Sequence, residues 1–194
     1  MGLFDMFGKK KKNEAPKQAP ANDGGFHQMV QELLARPDIQ GSSDICKVVY
    51  NKAQSLLKNP TQESVHQAYD LMGNLASQFE YVPAIMWMGD FSENVMKKLD
   101  KAAYWYKKAA DLGDGNGSRC YADMLMTGNG VQRDVAQAMH YYADAADKGV
   151  PEAAFVLGEF LRNNGDRENA LKAYRQALAG GFAQAQIRID QMNG

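Results

Sequence analysis

The second half of the chain repeats one helical pattern, and this periodicity constrains the fold more than any other feature. The stretch KAAYWYKKAADLG (101–113) aligns with QAMHYYADAADKG (137–149) at a spacing of 36 residues, and NALKAYRQALAGG (169–181) follows at a spacing of 32. The three copies share an early alanine, a central tyrosine and a final glycine. Repeats of about 20 to 50 residues are typical of proteins in which each unit stacks on its neighbours. We therefore expect a stack of helical units.

The residues ahead of each copy repeat as well. A large residue followed by a small one recurs early in a predicted helix; the pairs are Met88–Gly89, Tyr121–Ala122 and Leu157–Gly158. A glycine or alanine at that point lets two helices approach closely. Asp134 and Asp166 occupy the same place before the second helix, where an aspartate side chain caps a helix well. Each unit is therefore predicted to be a helix, a turn and a second helix.

Tyrosine recurs at one position of the second helix, at Tyr106, Tyr142 and Tyr174. Because alanines recur at the same spacing from each of these tyrosines, we predict that the tyrosines form the core between helices rather than a binding site. Tyr104 does not recur in this way and is expected to be exposed.

Helical periodicity also covers the chain before and after the three copies. FHQMVQELLARPD (26–38) places its apolar residues on one face, and Pro37 ends that helix. A last short helix is predicted at about 182–192, with Ile189 facing the repeats and Arg188 facing solvent among glutamines. The prediction is an all-α fold, an α-solenoid of antiparallel helix pairs.

Three segments are predicted. Residues 1–24 form a disordered basic tail with a short apolar head, since they cannot bury enough surface to fold. Residues 25–82 form a helical N-terminal cap or a degenerate repeat. Residues 83–194 form three repeats with a C-terminal capping helix.

The repeated residues resemble the Sel1-like repeat family, whose members are related to tetratricopeptide repeats. The pattern is most complete over 117–153, where the glycine loop with Gly128 and Gly130 precedes the second helix, and it extends over about 84–192. The resemblance implies a right-handed superhelix and a non-enzymatic adaptor or scaffold that binds a protein or peptide. Extracellular relatives often carry a cysteine pair in each repeat, whereas this chain has only Cys46 and Cys120, which implies a cytoplasmic location.

Motifs that carry chemistry are not found in the sequence. The three histidines, His27, His66 and His140, are far apart and lack a partner at helical spacing. The glycine-rich DLGDGNG (111–117) does not fit a calcium loop and is predicted to be a turn between repeats, with Gly113 ending the helix. We expect no catalytic residue, no metal and no cofactor. A formal net charge of −1 gives no reason to expect a nucleic-acid partner.

The remaining candidate is a surface. By analogy with tetratricopeptide arrays, the first helix of each unit is expected to line the concave side. The residue after each large–small pair is acidic. The residues four positions before and three positions after that acid are expected on the same side of the helix. The set is Met86, Asp90, Glu93, Arg119, Asp123, Met126, Phe155, Glu159 and Arg162. Two interpretations stay open: a groove for a basic or amphipathic peptide, or a solvated face.

The N-terminal segment is the second candidate. Its apolar head contains Leu3, Phe4 and Phe7, and the lysines Lys9, Lys10, Lys11 and Lys12 follow. One interpretation is a frayed terminus or a short helix that packs on its own chain. The other is a short amphipathic peptide that docks on a partner, on an anionic membrane or in the chain's own groove. The alternative function is therefore a peripheral membrane or assembly-targeted factor tethered by residues 1–12.

Overall fold

The computed structural model describes residues 23–193, and these form helices joined by turns, with no strand among them. The helices of this range are α1 Asp23–Leu34, α2 Ser42–Leu56, α3 Gln62–Gln78, α4 Val82–Asn94, α5 Leu99–Asp111, α6 Gly115–Thr127, α7 Val135–Asp147, α8 Pro151–Asn163, α9 Arg167–Ala179 and α10 Gln184–Asn193. The predicted all-α fold is confirmed. None of these helices is long and apolar enough to span a lipid bilayer.

The described residues divide into two compact units. Those up to Trp105 belong to the first unit and those from Tyr106 onward to the second, so the division falls within α5. In the first unit α1 to α4 pack in chain order, and in the second unit α6 to α10 do the same. Packing between consecutive helices is what a stack of helical hairpins requires. The segment boundaries given above stay predictions.

The first unit is held by apolar side chains from α2, α3 and α4. Val49, Val65, Met72 and Ile85 are almost entirely buried. The start of α3 is fixed by a capping box, in which Thr61 Oγ1 accepts the Ser64 backbone N–H at 3.1 Å and Ser64 Oγ accepts that of Thr61 at 2.9 Å.

Helix ends in the second unit follow the predicted residue choices. Asp134 caps α7 by accepting the backbone N–H of Gln137 at 2.9 Å, and Asp166 caps α9 by accepting that of Asn169 at 3.2 Å. Gly113 ends α5 with φ +88°, a left-handed conformation that favours glycine. These three predictions are confirmed.

The small residue of the large–small pair brings two helices together, as expected. A Cβ added to Gly158 of α8 would lie 2.7 Å from the ring of Tyr174 in α9. Gly117 was not singled out by the repeat pattern, but a Cβ there would lie 2.6 Å from Cβ of Ala109. Because α6 begins at Gly115 and is capped by Asp114, the turn at 111–117 is shorter than predicted.

Candidate functional site

Two buried tyrosines of the second unit bond to the acidic register predicted above. Tyr142 of α7 donates its hydroxyl proton to Asp123 Oδ1 of α6 at 2.5 Å, and Tyr174 of α9 donates to Glu159 Oε1 of α8 at 2.6 Å. The tyrosine side chains are 3% and 0% exposed, which confirms that they belong to the core. Each acid therefore satisfies a buried hydroxyl of the second helix in its own repeat.

Arginines pair with the same two acids. Arg119 Nη1 lies 2.8 Å from Asp123 Oδ2, one helical turn away in α6. Glu159 binds two arginines: Arg162 Nη2 at 2.9 Å from Oε2, and Arg188 Nε of α10 at 2.7 Å from Oε1. In the second unit the acids are thus paired carboxylates, each tied to an arginine and to a tyrosine.

The pKa values of these groups shift in keeping with their contacts. Burial and the hydrogen bond to Glu159 raise the pKa of Tyr174 to about 12. Burial, and after it Asp123, raises the pKa of Tyr142 as well. Burial alone would raise the pKa of Glu159, but the hydrogen bonds from Tyr174 and Arg188 and the charges of both arginines bring it below its ordinary value. Glu159 is therefore ionised at neutral pH.

Apolar side chains accompany the paired charges. Phe155 is half-buried, with its ring centroid 5.6 Å from that of Tyr174 and 4.9 Å from that of Phe182. Met126, one turn beyond Asp123 in α6, is half-buried too. Spacings of three and four residues place the members from each helix on one side of that helix. We call this set the second-unit face: Arg119, Asp123 and Met126 of α6 with Phe155, Glu159 and Arg162 of α8.

The other predicted surface residues lie on α4 of the first unit. Met86 and Glu93 are half-buried and Asp90 is exposed. Their spacing places them on one side of α4. That they continue the second-unit face in a common groove stays a prediction.

The remaining sequence predictions concern Tyr104, the cysteines, metal binding and the N-terminal tail. Tyr104 is exposed, as expected, at 60%. Cys46 is buried and Cys120 is half-buried, and neither forms a disulfide bond within the described residues. Within residues 23–193 no group of three His, Cys, Asp or Glu side chains is placed to hold a metal ion. The tail residues predicted to dock, Leu3, Phe4, Phe7 and Lys9 to Lys12, lie outside the described residues.

A family model described as the Sel1 repeat matches residues 83–114 and 121–150. Over these two stretches the chain is similar to Sel1-like repeats. The matched ranges correspond to α4 with α5 and to α6 with α7. The third repeat, α8 with α9, is recognised by its geometry, since Tyr174 and Glu159 reproduce the contact between Tyr142 and Asp123.

Solved structures show the same fold. The chain resembles a protective antigen of uropathogenic Escherichia coli strains with an SLR fold, at TM-score 0.66 and 24% identity, over 76% of this chain and 33% of that one. It also resembles a Sel1 repeat protein from Oxalobacter formigenes, at TM-score 0.61 and 23% identity, over 72% of this chain and 59% of that one. An uncharacterized protein of Neisseria meningitidis serogroup B is 29% identical over 119 residues, which cover 59% of this chain and 25% of that protein.

Sequence reasoning identified the acidic register but missed its partners. The spacing from the large–small pairs locates the acids, and the recurrence of the tyrosines assigns them to the core. Because an acid and a tyrosine recur in both Asp123–Tyr142 and Glu159–Tyr174, their co-occurrence was the signal that could have joined them. Arg188 was expected to face solvent, and it bonds instead to Glu159, which precedes it by 29 residues.

Proposed function

We propose that the protein is a non-catalytic adaptor that binds a protein or peptide partner on the first helices of its repeats. Sel1 repeat proteins are generally scaffolds for protein interactions and are typically non-catalytic. The proposed location is the cytoplasm, since the repeats lack the cysteine pairs of extracellular relatives.

The observation that carries the proposal is the internal bonding of the second-unit face. Arg119 is oriented by Asp123, and Asp123 by the buried hydroxyl of Tyr142. Side chains that are ordered before binding lose less entropy when a partner docks. A face built in this way, with Met126 and Phe155 beside the charges, suits an amphipathic segment. A strongly basic segment gains less here, because each acid already has an arginine partner.

Site-specific photocrosslinking tests the proposal. The photoreactive residue p-benzoylphenylalanine is placed at Met126, on the second-unit face, or at His140, an exposed position on α7. We expect a protein that is crosslinked from position 126 and not from position 140, identified by mass spectrometry from cells. That partner is then purified, and Met126→Ala is expected to weaken its binding by about fivefold or more. Crosslinks that arise from 140 alone would locate the interface elsewhere on the unit.

A second candidate function rests on the N-terminal sequence. Leu3, Phe4 and Phe7 precede four consecutive lysines, a composition that favours insertion into an anionic interface. In this version the protein is a factor tethered to a membrane or an assembly by residues 1–12. Deletion of residues 1–12 should abolish localisation while leaving the crosslink from position 126 intact. Flotation with vesicles that gives the same binding for neutral and anionic lipid would remove the membrane version.

A further inference from the structure

Two arginines and one acid form a cluster of net positive charge between α8 and α10 of the second unit. Arg162 and Arg188 both bond to the single carboxylate of Glu159. Glu159 is ionised, because its pKa lies below the ordinary value, so two cations share one anion. The net charge of this cluster is thus the opposite of what an acidic groove would present.

Both guanidinium groups keep donors that have no partner in the described part of the chain. Arg162 uses Nη2 for Glu159 and Asn163, and Arg188 uses Nε for Glu159 and Nη1 for Gln191. This leaves Nη1 of Arg162 and Nη2 of Arg188. The two side chains are 37% and 33% exposed, so solvent reaches the cluster. Arg162 Nε is buried without a partner, so the Nη atoms are the donors open to a ligand.

An apolar surface lies one to two helical turns from these donors. Phe155 precedes Arg162 by seven residues in α8, which corresponds to about 10 Å along the helix axis. Its ring packs against Phe182, which lies just before α10, the helix of Arg188. Each pair therefore has one member on α8, Phe155 or Arg162, and the other just before α10 or within it, Phe182 or Arg188.

We propose that this end of the unit binds an acidic side chain of the partner, with an apolar side chain of the same segment on Phe155 and Phe182. A carboxylate matches the fixed donors of arginine better than it matches a lysine, and one negative charge balances the cluster. In a polyproline II segment, with three residues per turn and a rise of about 3.1 Å per residue, residues three positions apart lie on the same side and about 9 Å from each other, so the recognised pattern is an apolar residue and an acidic residue three positions apart. This inference rests on the proposed adaptor function and names the chemistry of its partner.

Capped hexapeptides test the inference directly. The probes are acetylated and amidated GFSSDG with its neutral and basic counterparts GFSSNG and GFSSKG, and the reversed GDSSFG with its counterparts GNSSFG and GKSSFG. Binding is followed through the ¹⁵N-edited resonances of arginine Nε–H, which are assigned by comparison with the variants Arg162→Gln and Arg188→Gln. We expect one of the two acidic peptides to bind with a millimolar Kd and to shift both arginine signals. The asparagine counterpart should bind about three- to fivefold more weakly, and the lysine counterpart more weakly still.

Matched variants separate a local effect from a change in overall charge. Arg188→Gln should weaken the acidic peptide, whereas Arg175→Gln, which removes an exposed arginine from α9, should not. Glu159→Gln removes the competing carboxylate and should strengthen binding. Equal binding of the tighter acidic peptide and of its own asparagine counterpart (GFSSNG for GFSSDG, GNSSFG for GDSSFG) would overturn the inference and leave the adaptor function standing. Absence of binding by every peptide up to about 10 mM also overturns it, and the crosslink from Met126 then decides the adaptor function separately.

Discussion

Tyr174 donates its hydroxyl proton to Glu159 Oε1 over 2.6 Å, which joins the second helix of the third repeat to the first. Tyr142 and Asp123 make the same contact one repeat earlier, at 2.5 Å. In both repeats the ring fills the core and the hydroxyl reaches a carboxylate that also binds arginine at the surface. The contact thus couples the packing of the helix pair to the geometry of the second-unit face.

Removal of the hydroxyl measures this coupling. Tyr174→Phe keeps the ring and leaves Glu159 without one hydrogen bond, so we expect the free energy of unfolding to fall by about 1 to 2 kcal/mol. Urea denaturation followed by circular dichroism gives the value. Tyr104→Phe is the matched control, since Tyr104 is 60% exposed and should change stability by less than about 0.5 kcal/mol. Equal effects of the two substitutions would contradict a structural role for the contact.

The close approach of α8 and α9 predicts that a methyl group added at their contact lowers the stability of the protein. In Gly158→Ala the new Cβ would lie 2.7 Å from the Tyr174 ring, and we expect destabilisation of about 1 to 3 kcal/mol despite the better helix propensity of alanine. Gly25→Ala is the control, because nothing lies within 4 Å of a Cβ at that position in α1. That variant should be neutral or slightly stabilising. Thermal unfolding of both proteins checks the difference in sign.

The sequence predicted the repeated architecture because helix periodicity, caps and small residues are local signals. Asp134, Asp166 and Gly113 act as expected for this reason. What could not be predicted depends on contacts between helices. Arg188 reaches Glu159 from α10, and no local pattern indicates such a pair. The sequence therefore located the acidic register, whereas its charge balance could be read only from the structure.

Alkaline pH should weaken the second unit through its buried tyrosines. The pKa of Tyr174 rises from its ordinary value of 10 to about 12, so the folded state holds this proton more tightly than the unfolded state. The resulting stability is fully present below about pH 10 and is lost as the pH rises toward 12. We expect Tyr174→Phe to show a smaller decline in the free energy of unfolding over this range. Equal declines in the free energy of unfolding of the two proteins would show that ionisation of Tyr174 does not destabilise the folded state.

Acidic pH should remove the stabilisation that the ionised Glu159 side chain gives the second unit. Burial alone would raise its pKa, but the hydrogen bonds from Tyr174 and Arg188 and the charges of Arg162 and Arg188 together lower it, so the folded state binds this proton more weakly than the unfolded state does. The stabilisation is therefore complete above the ordinary glutamate pKa of about 4.3 and is lost as the pH falls through the folded value. Glu159→Gln cannot ionise, so the difference in unfolding free energy between the wild type and this variant should shrink on acidification from about pH 6 to pH 3. Glu168→Gln is the control, because that side chain is 81% exposed and its pair with Lys172 lies on the surface. A difference between wild type and Glu159→Gln that stays constant with pH would mean that the arginines and Tyr174 stabilise the helix pair without favouring the ionised carboxylate.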